Sequence, residues 1–253
     1  MKPGNVLTRF SDRVDDYVKY RPGYPPEVIQ VLKDRCGLSP NSVVADIGSG
    51  PGNLARLFLD NGNEVFAVEP NEEMRKAGSS LLGHLPCYHS VEGKAEETHL
   101  SANSVDFITA AQAFHWFDWP SAKTEFQRIL RPGGWVVLLW NERLINNSPF
   151  LMAYEALLLK YGTDYKEVRH ERSYENVEAF YGGGFERVTL DNRQLVDFDG
   201  LRGRLLSSSY VPSAGSSQRE PMLRDLELLF EKHKRDGRVS IDYEVRVYFG
   251  HLQ

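Results

Sequence analysis

The stretch "VVADIGSGPGN" (residues 43–53) constrains the fold of this chain more than any other. Val43, Val44 and Ala45 lead through Asp46 and Ile47 into glycines at alternate positions, Gly48, Gly50 and Gly52. A short apolar run that stops at a glycine turn reads as a buried strand, because glycine lets the backbone turn sharply and approach a neighbour closely. "NLARLFLDNG" (53–62) then puts Leu54, Leu57 and Phe58 on one helical face. The same unit recurs. "EVFAVE" (64–69) predicts a second strand, and "NEEMRKAGSSLLG" (71–83) a helix with Asn71 as its N-cap. "CYHSVEG" (87–93) is a weaker strand and "SVDFITA" (104–110) a stronger one. "SAKTEFQRILRPGG" (121–134) predicts a helix with Phe126, Ile129 and Leu130 inward, closed by a Pro132-Gly133-Gly134 turn, before a fifth strand in "WVVLLWN" (135–141). Upstream, "PPEVIQVLKDRCG" (25–37) aligns Val28, Ile29, Leu32 and Cys36 on a helix stopped by Gly37. Strands interleaved with helices predict an α/β fold with a parallel, doubly wound sheet.

After residue 142 the rhythm changes. A helix over about 149–161 precedes the "YGGGF" turn (181–185) and a long β-rich segment, "FERVTLDNRQLVDF" (185–198). An amphipathic helix at 219–237 aligns Met222, Leu226, Leu229 and Phe230. In "RVSIDYEVRVYFG" (238–250), Val239, Ile241, Tyr243, Val245, Val247 and Phe249 recur with a period of two. The chain is expected to form one domain over 1–253, with an N-terminal flap and first helix at 1–37 and a core at 40–142. Segments 143–184 and 199–237 are expected as helical cap insertions, and 185–198 and 238–250 as the last two strands.

Lys and Arg number 30 against 35 Asp and Glu, a net charge of −5, which gives no reason to expect nucleic acid as a partner. The basic clusters "KRDGR" (234–238) and "LRGRLL" (201–206) are short enough to be solvated edges. Cys36 and Cys87 have no CxxC spacing, and His84, His89 and His99 have no metal-like spacing, so neither a disulfide framework nor a metal site is expected. The opening "MKPGNVLTRFSDRVDDY" lacks an apolar signal region, and no run approaches the roughly 18–20 apolar residues of a bilayer span. A cytoplasmic protein with no membrane partner is the expectation; oligomeric state stays open.

A dinucleotide fingerprint has the form GxGxxG. Counted from Gly48, Asn53 stands where its third glycine belongs. The pattern is GxGxG, two residues after an acid, and an aspartate beside the loop suits a cationic ligand group better than a phosphate. Glu69, at the end of the second strand, can accept hydrogen bonds from both hydroxyls of a ribose. An ammonium at one end and a ribose further on describe S-adenosylmethionine.

On "VVADIGSGPG" (43–52), "VFAVEPNEEM" (65–74), "GKAEET" (93–98), "VDFITAAQAFHWFD" (105–118) and "LRPGGWVVLLWNER" (130–143), the sequence resembles the class I S-adenosylmethionine-dependent methyltransferases of the methyltransferase-11 type. "YRPGYPP" (20–26) and the closing β-rich segments are similar to the branch that includes trans-aconitate methyltransferase. The resemblance implies a seven-stranded Rossmann-like sheet of order 3-2-1-4-5-7-6, its last strand antiparallel, with S-adenosyl-L-methionine as cofactor. It implies that Gly48, Ser49 and Gly50 line the methionine part, that Asp46 reaches the ammonium and that Glu69 holds the ribose. Pro70 and Met74 would pack on the adenine, Ala95 and Glu96 would lie at its edge, and Ala111 and Gln112 would lie beneath the sulfonium. Met74 taken alone is more often core than cofactor wall, and Glu96 would serve equally well as a solvated acid.

The turn "AAQAFHWFDWP" (110–120) follows a buried strand at the edge where open α/β sheets bind ligands. Its rings can anchor the next helix, and His115 or Trp116 can face the acceptor. For a hydroxyl or amine acceptor His115 is the leading general base, with Glu142 behind it; a carboxylate needs none. Tyr17 and Tyr20, among Arg9, Arg13 and Arg21, fit either a flap or a packed helix. Arg204 and Tyr210, in the second cap, are candidates to meet an anionic substrate. The expected reaction is methyl transfer to a small molecule, with a carboxylic acid the favoured acceptor. The alternatives are a carbon methyltransferase for a lipophilic or quinone-like acceptor, an NAD-dependent oxidoreductase, and a cofactor-binding non-enzyme.

Overall fold

The computed structural model describes residues 18–163, 165, 174–208 and 210–253. In chain order the principal elements are α1 (Glu27–Cys36), β1 (Val43–Ile47), α2 (Ala55–Asp60), β2 (Glu64–Glu69), α3 (Glu72–Leu82), β3 (Tyr88–Glu92), β4 (Val105–Ala111), α4 (Trp119–Ile129) and β5 (Leu130–Arg143). They continue with α5 (Pro149–Tyr161), α6 (Tyr174–Tyr181), β6 (Phe185–Val196), α7 (Phe198–Leu206), α8 (Arg219–His233) and β7 (Val239–Gly250). The seven strands form one sheet of order β3-β2-β1-β4-β5-β7-β6. β1 to β5 pair in parallel, and β7 runs antiparallel to both β5 and β6. The sheet is thus mixed, in the order that the resemblance implies.

Period-two burial explains the inner strands. Val44 faces one apolar layer with Val28, Leu32, Phe58, Val137 and Leu139, while Ala45 and Ile47 face the other with Ile108, Phe126, Val136, Leu138 and Trp140. Both faces are covered by helices, so the strands read as continuous apolar runs rather than alternating ones. β7 carries the alternation instead, because every second residue from Ser240 to Arg246 is only partly buried. Val245, Val247 and Phe249 pack with the α1 layer, whereas Val239, Ile241 and Tyr243 pack with α5, α7 and α8. One face of one strand therefore serves two cores. The second consists of Phe150, Leu151, Tyr154, Leu158, Leu201, Leu205, Met222 and Leu226 over the upper half of the late strands.

Asn71 caps α3 as its residue type predicts, its side chain accepting from Met74 N at 3.0 Å. Pro132-Gly133-Gly134 behaves differently. It does not end the structure before the fifth strand but lies inside β5, where the pairing steps from Val105↔Leu130 to Phe107↔Trp135. Four residues of β5 are thereby passed over between neighbouring pairs, and Gly133 takes a φ of +78° that the irregularity requires. The late strands are also shorter than the sequence suggests: β6 stops at Val196, and Phe198 already opens α7.

Phe114, fully buried just after β4, stacks on Trp119 and meets Phe117, Trp140 and Phe180 edge-on. It fixes the turn that carries His115 and Trp116. Replacing Phe114 with Ala is expected to cost about 3–5 kcal/mol, read as a lowered urea midpoint without a change of slope.

Candidate active site

Parallel strands put their C-terminal ends on one edge, and there the loops of β1, β2 and β4 converge. Gly48 N and Ser49 N both donate to Val68 O, at 2.8 and 3.2 Å, pinning the glycine loop to the end of β2. Gly50 N donates to Glu69 Oε2 at 2.9 Å, and Asn71 N to Glu69 Oε1 at 2.9 Å. The buried Glu69 carboxylate thus holds its own loop and the glycine loop together. Each oxygen keeps acceptor capacity for a further donor. Burial raises the Glu69 carboxyl above its usual range, against the two amides and Arg75, which lower it.

Gly48 has φ +67°, and a Cβ there would lie 2.6 Å from Ala113 Cβ. A side chain would push the loop off the turn that follows β4. Gly50 (φ +56°) would carry its Cβ into open space, so the chain there presents bare backbone toward the crevice. The positive φ values show that these residues do more than punctuate a strand.

Asp46 is 1% exposed at the centre of the sheet edge. Its Oδ1 accepts from Thr109 Oγ1 at 2.8 Å, while Oδ2 is buried with no hydrogen-bond partner among the described residues. Burial pushes the carboxyl up to about 7, even though Thr109 and the Ala55 amide pull it down. An orphaned buried carboxylate oxygen fits a cationic ligand group and does not fit a phosphate. The residues present therefore suit the ammonium-bearing ligand that the sequence describes.

Ala111 ends β4, and Gln112 follows it in the left-handed region at φ +55°, unusual for a residue other than glycine. Gln112 N donates to Leu139 O at 3.0 Å and its side-chain Nε2 to Asn141 O at 3.0 Å, so both ends of the residue grip β5. Met74 and Ala95 are buried, and Ala95 belongs to the same apolar layer as Ala45, Ile47 and Val68. Pro70 is half-buried. Glu96 accepts from Asp118 N at 2.8 Å, which ties the loop after β3 to the turn after β4 and commits one of its oxygens to the protein. His115 and Trp116 are half-buried neighbours, ring centroids 4.7 Å apart. Glu142 faces Glu244 in the β5–β7 register.

The remaining candidates lie in or against the segments that follow β5 and β6. Arg204 is 7% exposed; it donates to Tyr243 Oη at 3.3 Å and Ser208 Oγ at 3.2 Å, and makes no ion pair among the described residues. Tyr210 stands with its ring centroid 4.9 Å from that of Tyr165. Tyr20 packs against α7 so closely that a Cβ on Gly203 would lie 2.1 Å from its ring. Tyr20 O accepts from Gln194, Gly23 O from Asn141 and Asn192, and Ser207 O from Arg21. The segment 20–23 thus crosses the ends of the late strands and meets the cap. Tyr17 lies outside the described residues.

Sequence reasoning missed Thr109, Arg143, Tyr154, Glu155, Tyr165 and Tyr243. For two of them the signal was a polar residue in a largely apolar run, Thr109 in "VDFITA" and Glu155 in "FLMAYEALLL". Among the described residues no three His, Cys, Asp or Glu side chains converge as a metal site, and no helix is long and apolar enough to cross a membrane.

Sheet order, glycine loop and acidic strand ends together form a core similar to that of the S-adenosylmethionine-dependent methyltransferases. Comparison with known proteins agrees: residues 45–138 match the methyltransferase domain family. An uncharacterised methyltransferase of Mycobacterium bovis is 40% identical over 134 residues, covering 53% of this chain and 52% of that protein. One of Schizosaccharomyces pombe is 32% identical over 152 residues, covering 60% of this chain and 59% of that protein. The chain thus spans little more than half the length of these relatives. Among solved structures, one from Anaeromyxobacter dehalogenans, whose name assigns it provisionally to the type II methyltransferases, superposes with a TM-score of 0.70. It is 23% identical and covers 92% of this chain and 98% of its own, a likeness of fold. The oxidoreductase alternative finds no support in these matches.

Because folded Asp46 holds its proton up to about pH 7 and the unfolded residue loses it near 3.8, the folded state binds the extra proton between those values. Stability is therefore expected to fall as pH rises from about 4 to 7 through this residue. Urea midpoints at pH 5 and pH 8 are expected to differ less in Asp46→Asn than in the parent.

Proposed function

We propose that this chain transfers a methyl group from S-adenosylmethionine to a small carboxylic acid. When bound, S-adenosylmethionine supplies an electrophilic methyl on its sulfonium. The observation that carries the reading is the glycine loop clasped by Glu69 beside a buried Asp46 oxygen without a protein partner. In this reading Asp46 meets the ammonium, Glu69 the ribose, and Gly48, Ser49 and Gly50 the methionine chain. Pro70, Met74, Ala95 and Glu96 border the adenine, and Ala111 and Gln112 form the floor below the methyl.

The chain's task is to align the acceptor and exclude water, which oriented binding can favour by several kcal/mol. Segment 20–23 and the cap over 143–184 and 199–237 act as the cover, with Tyr20, Trp116, Arg204 and Tyr210 toward the acceptor; Tyr17 is proposed from sequence alone. The acceptor class rests on Arg204, a buried cation without an ion-pair partner among the described residues. A lipophilic acceptor would be served by an apolar cap, and this guanidinium argues against it. A carboxylate attacks as the anion, so no proton must leave and His115 acts by position. We place the reaction in the cytoplasm.

Calorimetric titration tests the cofactor half: Glu69→Ala is expected to weaken S-adenosylhomocysteine binding by about tenfold or more, and equal affinity in parent and variant would sink the assignment. Affinity is also expected to drop as pH falls below about 7, where Asp46 takes up a proton, and to do so less in Asp46→Asn.

The acceptor half is tested with labelled methyl transfer to panels of carboxylic acids, alcohols and amines. His115→Gln is expected to retain kcat/KM within a few-fold on a carboxylic acid. A loss of about 10²–10⁴, the range typical of general base catalysis, would instead identify a hydroxyl or amine nucleophile.

A further inference from the structure

The cap holds more positive charge than the second-cap residues alone suggest. Arg143, the last residue of β5, carries its guanidinium 5.1 Å from the Tyr154 ring centroid, with only a tenth of the side chain exposed. Its Nη2 meets the Glu155 carboxylate and, at 2.8 Å, Tyr165 Oη, which in turn donates to Glu155 at 2.7 Å. Its Nη1 is buried with no hydrogen-bond partner among the described residues. Arg204 donates to Tyr243 Oη, and Tyr243 is the β7 residue paired with Arg143. Tyr154 and Tyr210 each feel both guanidiniums, and Arg21 adds a third charge at Tyr210. Burial alone would raise the Tyr210 phenol, yet Arg204, Arg21, Ser208 and Arg143 bring it below its usual value. Glu155 is the one carboxylate that meets either Arg143 or Arg204 among the described residues.

A cation kept from water needs an anion nearby, and phenols compensate it poorly. Arg143 offers a free pair of N–H donors, and Arg204 is spent only on two hydroxyls. Planar guanidinium forks match a carboxylate. We infer that Arg143 and Arg204 form a receptor for a carboxylate of the acceptor that is not the atom methylated. This rests on the methyl-transfer reading for the word acceptor, but the receptor itself does not.

Two arguments make the bound group an anchor and not the nucleophile. Guanidinium donors occupy the lone pairs that would have to attack and neutralise their charge. Position agrees: Gln112 grips Asn141 O, and Arg143 lies two residues further along the same strand face, displaced by roughly 7 Å at about 3.3 Å per residue. The acceptor class is thus a small acid whose nucleophile is separated from the anchoring carboxylate by a few bonds.

The test uses the full chain, with succinate as probe and succinamide as its uncharged counterpart, titrated calorimetrically with and without saturating S-adenosylhomocysteine. Succinate is expected to bind in a salt-sensitive manner and succinamide about tenfold more weakly or worse. Arg204→Gln and Arg143→Gln should each weaken succinate to a similar degree while S-adenosylhomocysteine binds as before. Equal binding of the two probes, or succinate binding indifferent to both substitutions, overturns the receptor. Should the variants lose their cooperative melt, the parent decides: succinate should raise the titration of its most acidic tyrosine, seen by tyrosinate absorbance, and no shift overturns the proposal. Succinate bound through these arginines by a protein that ignores S-adenosylhomocysteine would uphold the receptor and sink the methyltransferase reading.

Discussion

The hydrogen bond from Thr109 to Asp46 joins the two central strands at the edge where all the site's loops begin. It sets how near the turn after β4 comes to the glycine loop, and Gly48 can face Ala113 at van der Waals distance only because it has no side chain. Glu69 repeats the device one strand away, holding the loop from the other side. The crevice is therefore shaped by buried acids whose remaining oxygen valences face inward. Such groups lower the stability of the fold alone and recover it when a complementary ligand is present. Site and stability are written in the same atoms.

The crevice is electrostatically divided. Asp46 and Glu69 sit on β1 and at the end of β2, whereas Arg143 ends β5 and Arg204 lies in α7; if the proposed function holds, the two signs face one another across the site. A cationic donor and an anionic acceptor would each find the opposite sign and be drawn toward one another across the sheet edge. The chain's modest net charge of −5 hides this separation, because bulk charge sums what the fold keeps apart.

The core was legible in sequence because burial on both faces leaves unmistakable apolar runs, and because β7, half-covered, alternates. The Asn71 cap was legible because residue type alone dictates it. Pro132-Gly133-Gly134 misled, since these residues mark a break in regular backbone but do not say whether the break ends a strand or bulges it. The cap's helices showed in composition, yet their inward polar residues did not. In α5 apolar residues also lie on the exposed side, Met152 and Leu159 among them, so hydropathy alone does not mark the side on which Tyr154 and Glu155 meet a guanidinium. Arg143 is harder still: a strand's last residue has no following partner to reveal its face. Glu69 and Asp46 could be read because a glycine loop fixes what stands beside it.

Segment 20–23 reaches its partners across 118 to 186 residues of chain, among the least local contacts in the molecule. Such contacts form only once β6, β7 and α7 are in place, and closing so long a loop has a high entropic cost for a handful of hydrogen bonds. A segment held in this way is accordingly expected to dock late in folding and to open early by local unfolding. The amides along this segment would then exchange with solvent well before those of the sheet it crosses.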